Sequence, residues 1–133
     1  MVDLIGAWSL VSSVQYRDGV PKATYGAPPS GQIQYTADRR MSAFLMRPEW
    51  AAAGVAEADP FDDFFAYAGQ WTLEGDTVHH DIEFCTTPAL VGARFTRFIK
   101  LLEDGSIELT TAKETSRSGA ERFTILRWRR HQS

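Results

Sequence analysis

The sequence predicts an all-β chain: a single antiparallel β-barrel of about eight to nine strands, with one short helix near residues 60–68. Three observations support this. Apolar residues recur at every second position through most of the chain. Turn-forming clusters interrupt them at short, regular spacing. Only one stretch carries an apolar pattern with helical spacing.

The elements follow in order. Trp8, Leu10, Val14 and Tyr16 share even spacing with Ser9 and Ser13 opposite, which reads as a first strand turned by Arg17-Asp18-Gly19. Residues 21–30 hold Pro21, Gly26, Pro28, Pro29 and Ser30 and read as a loop. Residues 31–36 alternate again, with Ile33 and Tyr35 on one face. Residues 37–40 turn the chain, and residues 41–46 return until Pro48 stops them. Residues 51–58 are alanine-rich and read as loop or weak helix. Asp59-Pro60 is a helix-start signal. Phe61, Phe64, Phe65 and Ala68 then fall on one helical face, with Gly69 as its end. Beyond that point only strands are expected. Residues 70–73 and 77–84 flank the hairpin turn Glu74-Gly75-Asp76. Pro88 and Gly92 bracket a bend. Residues 93–102, 106–112 and 121–130 complete the set.

Bulk properties set the limits of function. The chain has 133 residues and is read as one barrel domain, residues 1–133. Its formal net charge of −3 argues against nucleic acid as a partner. Arg122, Arg127, Arg129 and Arg130 read as the two faces of one strand. One cysteine, Cys85, excludes an internal disulfide and reads as a small buried hydrophobe. No apolar run is long enough for a membrane-spanning helix, and residues 1–13 lack a basic leader. A cytoplasmic protein with no membrane partner is therefore expected.

Several motifs carry a family resemblance. Gly6-Ala7-Trp8 matches a G-x-W signature. Residues 31–38 (GQIQYTAD) precede Arg40-Met41-Ser42-Ala43. Met46-Arg47-Pro48, Tyr67-Ala68-Gly69, Val78-His79-His80, Pro88 with Val91-Gly92, and Trp128-Arg129-Arg130 follow. Together they resemble the bacterial and fungal lipocalin-like domain family over nearly the whole chain. The resemblance implies a calycin-like barrel with a central cavity. It also implies that Trp8 closes one end while Arg130 packs across it. The chain departs from the pattern at Arg39, where the family usually has a turn glycine. The resemblance implies no single chemistry, since some members stand among natural-product or catabolic enzymes.

Strand alternation sorts the candidate site residues. Val78, His80, Ile82 and Phe84 form an apolar set, which places His80 inside. His79, Asp81 and Glu83 then face water. They could present three metal ligands, but a solvated face explains them better, so no metal and no cofactor is expected. Phe95, Arg97, Ile99 and Leu101 share a face, which turns Arg97 inward. Tyr35 and Tyr67 are candidate cavity phenols. Trp71, Met41, Phe44 and Met46 are candidate wall residues. Two functions remain open. One is binding of a small, mostly apolar molecule with a polar or anionic end. The alternative is a cofactor-free isomerase, dehydratase or cyclase, with His80 as general acid or base and Arg97 or a tyrosine stabilising an oxyanion. A third, structural reading is a homodimer formed through an outer barrel face.

Overall fold

The structure is a computed structural model that describes residues 2–54 and 56–132. The strands are β1 (Gly6–Arg17), β2 (Val20–Ala23), β3 (Ser30–Tyr35), β4 (Arg40–Met46), β5 (Phe64–Glu74), β6 (Thr77–Cys85), β7 (Arg94–Leu101), β8 (Ile107–Thr111), β9 (Glu114–Thr115) and β10 (Glu121–Arg130). Strands β1, β3 to β8 and β10 pair in sequence, and β10 pairs back onto β1, so the sheet closes into an eight-stranded antiparallel barrel. β2 and β9 are short additions on β1 and β10. Closure removes the exposed edges that an open sheet would present.

Up-and-down order sorts the connections. The turns after β3, β5 and β7 lie at one end, and the longer connections after β4, β6 and β8 lie at the other. The short-turn end is sealed. Trp8 is buried, its indole N–H donates to the Leu4 carbonyl at 2.9 Å, and the Arg130 guanidinium lies 4.3 Å from its ring centroid. The same guanidinium donates to the Ile5 carbonyl at 2.9 Å. Gly6 permits this approach: its φ is 123°, and a Cβ there would come within 3.2 Å of Arg130 Nη1. Trp71 lies at the same end. It donates to the Thr36 carbonyl at 3.1 Å and carries Arg39 over its ring at 4.4 Å. Burying each of these indoles contributes about 2–3 kcal/mol.

The helix expected at residues 60–68 does not form. Asp59 does cap a turn, with its carboxylate accepting the Phe61 N–H at 2.9 Å and its carbonyl accepting the Asp63 N–H at 2.7 Å. The turn stops there. From Phe64 the chain pairs with β4 on one side, and from Tyr67 also with β6 on the other. Phe65 and Tyr67 point inward at a period of two. The apolar residues satisfied both periodicities, and two-sided strand pairing outweighed one isolated helical turn. The helix lies earlier, at α1 (Pro48–Ala53), ending on Gly54 in the left-handed conformation. It falls in the alanine-rich stretch, of which residue 55 lies outside the described residues. No helix among those residues is long and apolar enough to cross a membrane.

Gly69 serves the sheet rather than a helix end. A β-bulge falls between Ala68 and Gly69, whose partners are Phe84 and Ile82, leaving Glu83 as the extra residue. A Cβ on Gly69 would stand 1.8 Å from the Asp81 carbonyl oxygen, so only glycine fits. A second bulge falls between Leu10 and Ser12, with Val11 as the extra residue.

Arg39 stands where the resemblance expects glycine, and it adopts φ 70°. A side chain in that region costs about 1–2 kcal/mol, and its stacking on Trp71 returns about 0.5–1 kcal/mol. Arg39→Ala keeps the strain and loses the stacking, whereas Arg39→Gly loses both. Urea denaturation should therefore find Arg39→Gly more stable than Arg39→Ala by about 1 kcal/mol. Equal midpoints would contradict strain at this turn.

Candidate functional site

The long-loop end of the barrel opens into a cavity of about 200 Å³. Its apolar wall includes Ile33, Ala43, Leu45, Phe65, Phe95 and Leu126. Phe61 and Leu90 stand at the mouth, together with Tyr25. The surrounding loops are tied down: Tyr25 donates its hydroxyl to the Pro60 carbonyl, and Arg47 pairs with Asp62. Trp50 stacks on Phe64 with centroids 5.5 Å apart.

His80 is fully buried on β6. Its Nε2 lies 2.7 Å from the Tyr35 hydroxyl and its Nδ1 lies 2.9 Å from the Tyr67 hydroxyl. Burial, with a smaller push from the Arg97 charge, holds its pKa down to about 3. The imidazole is therefore neutral, with one N–H donor and one acceptor nitrogen. Burial also raises the pKa of both phenols, so both stay protonated.

Donor accounting assigns the proton order. Tyr35 is fully buried and has no other hydrogen-bond partner among the described residues, so its O–H donates to Nε2. His80 then carries its proton on Nδ1 and donates to the Tyr67 oxygen. Tyr67 lines the cavity, so its own O–H is left to donate into that space. Each bond in the row polarises the next.

Arg97 also lines the cavity. Its guanidinium lies 4.6 Å from the Phe95 ring centroid and donates to the Thr96 carbonyl at 3.2 Å. Tyr67 packs on the same Phe95 ring, edge-on at 5.2 Å. Arg97 makes no salt bridge among the described residues.

The other expected residues divide. Trp71 is buried at the sealed end, edge-on to Tyr35 at 5.2 Å, and does not line the cavity. Tyr35 lies one bond behind the wall, on His80 Nε2. Phe44 and Met46 need correction: β4 turns Met41, Ala43 and Leu45 inward, leaving Phe44 43% exposed and Met46 outside the lining. Phe84 is likewise outward, at 64% exposure, because the bulge at Glu83 reverses the alternation. Leu101 is also exposed, at the strand end. On β1 the bulge at Val11 has the same effect, so Ser13 and Gln15 line the cavity in place of Val14 and Tyr16. Thr111, Thr124 and Trp128 also belong to the wall and were not singled out from the sequence. The inward phase of Leu126 and Trp128 on the last strand was the available signal for that side.

Outside the barrel, Asp81 takes a two-pronged contact from Arg94 at 2.8 and 3.1 Å, and Arg40 reaches Glu83 at 2.6 Å. His79 bonds Thr96 at 2.9 Å. No cluster of three or more metal-ligating side chains occurs among the described residues. Cys85 is half-buried, packs against the core and accepts the Thr87 N–H at 3.4 Å.

The His80 pKa links stability to pH. The folded value of about 3 lies below the unfolded model value of 6.5. Between them the unfolded chain binds a proton that the folded chain refuses, so stability present above pH 6.5 is lost as pH falls toward 3. Urea midpoints measured from pH 7 down to 4.5 should fall for the native protein and fall less steeply for His80→Gln. Parallel curves would show that His80 is not buried neutral.

Comparison with known proteins agrees with the barrel. The family described as "Lipocalin-like domain" matches residues 5–131. Among curated proteins no match is found. A match over nearly the full chain, on a closed eight-stranded barrel with a sealed end and an open cavity, places this chain in the lipocalin-like domain family.

Proposed function

We propose that this protein binds a small, mostly apolar molecule in the barrel cavity and holds its polar end with Tyr67 and Arg97. The carrying observation is the buried row Tyr35–His80–Tyr67, which ends in a phenolic donor at the cavity wall. A row of that kind is costly to bury unless each member is satisfied, and only the last O–H lacks a partner within it. An oxygen on the bound molecule completes the row. The volume limits the size of that molecule. A dry cavity of about 150 Å³ holds benzene, so this one suits a single substituted ring or a body of about eight to ten heavy atoms.

The cofactor-free enzyme remains a second reading, an isomerase, dehydratase or cyclase in the same cavity. It is favoured by Tyr67 and Arg97 sharing the Phe95 ring, where both can meet one developing oxyanion. A neutral imidazole whose conjugate acid has a pKa of about 3 is a feeble base at neutral pH. In that reading His80 orients and polarises Tyr67, and Tyr67 makes the contact with substrate.

Trp128 in the wall supplies a fluorescence reporter. Titration with acetophenone, a neutral ring bearing one carbonyl, should change the emission saturably. Tyr67→Phe should weaken that binding about tenfold while leaving the thermal unfolding cooperative. Native mass spectrometry of freshly purified protein should show a bound small molecule. No adduct and no saturable response would sink the binding reading.

A further inference from the structure

The charge that the described residues present to the cavity is of one sign. Among the described residues no aspartate or glutamate lines it, and Arg97 does. The other arginines are largely engaged. Arg40, Arg47, Arg94, Arg122 and Arg127 pair with carboxylates, while Arg39 and Arg130 lie on indole faces. Among the described residues Arg97 has the ring of Phe95 and the carbonyl of Thr96 and no carboxylate. Arg97 is half-buried, and its field reaches Tyr35, Tyr67 and His80.

The neighbours of Arg97 are polar. Thr111 pairs with it across β7 and β8, and Thr124 on β10 donates its backbone N–H to the Thr111 hydroxyl at 2.8 Å. Gln15 on β1 pairs with Thr124. All four side chains line the cavity, so they form a polar belt across four adjacent strands. A second, independent observation concerns Trp128. It is 2% exposed and lines the cavity, and its indole N–H has no hydrogen-bond partner among the described residues. Indole N–H and guanidinium groups are donors only. Arg97, the Trp128 indole and the Tyr67 O–H contribute donors to this wall, and the threonine hydroxyls and the Gln15 amide can donate as well as accept.

We infer that the occupant is a small aromatic monocarboxylate, with its carboxylate on the Arg97 belt and its ring against Phe65, Phe95 and Trp128. This rests on the binding reading above and specifies its ligand. Arg97 offers a planar fork that matches a carboxylate with two parallel hydrogen bonds. The threonine hydroxyls and Gln15 border that fork. The aromatic walls select a flat body. One ring plus a carboxylate fits the volume of about 200 Å³.

Phenylacetate and 2-phenylethanol share the ring and the chain length and differ in the carboxylate. Isothermal titration at pH 7 should find phenylacetate at least about tenfold tighter than 2-phenylethanol on the native protein. Arg97→Gln should abolish that preference by weakening phenylacetate alone, and Arg97→Lys should restore part of it. Circular dichroism confirms that each variant folds, and the two-ligand comparison on the native protein needs no variant. Equal affinities, with acetophenone still bound, would overturn the carboxylate inference and leave the binding reading intact. Absence of binding by all three compounds would overturn both.

Discussion

The ladder between β1 and β10 closes the sheet, and the cavity exists because of that closure. An open sheet of these strands would expose two edges and one apolar face. Closed, it turns Ile33, Tyr35, Met41, Leu45, Tyr67 and Ile107 toward a common interior. Trp8, Leu4 and Arg130 then plug the end with short turns, where the first and last strands meet. The opposite end keeps its longer connections, and the space between them is not filled by side chains.

Within that frame the polar site follows from scarcity of partners. A barrel interior offers few hydrogen-bonding groups, since the backbone is spent on the ladders. Tyr35, His80 and Tyr67 bond in a single row that leaves the Tyr67 O–H for the cavity, and burial keeps all three neutral. A neutral row that donates outward differs from a charged one. It costs less to bury, and its preference is for an acceptor oxygen. Among the described residues Arg97 adds the only formal charge on the cavity wall, and Phe95 holds it beside Tyr67.

Much of this was legible along the chain. Alternation and turn chemistry marked the strands, because both are local properties of the backbone. His80 and Arg97 were legible as inward residues, because the phase of their strands is unbroken between neighbouring apolar positions. Trp8 and Arg130 were legible from a short signature and its distant partner. The segment after Asp59 was not. Its phenylalanines satisfy a helical and an extended period together, and the pairing that decides between them comes from β4 and β6.

The sequence by itself determined the barrel class and the two polar residues that look inward, since these depend on local periodicity and residue type, while the sealed end was implied by the family resemblance. Tertiary structure alone decided the faces of β1 beyond Leu10 and of β6 beyond Ile82. Two inserted residues, Val11 and Glu83, each shift the phase by one, and a bulge is visible only against its partner strand. Those shifts moved Val14, Tyr16 and Phe84 outward and brought Ser13 and Gln15 to the wall. The shift at Val11 added two polar residues, Ser13 and Gln15, to the cavity wall.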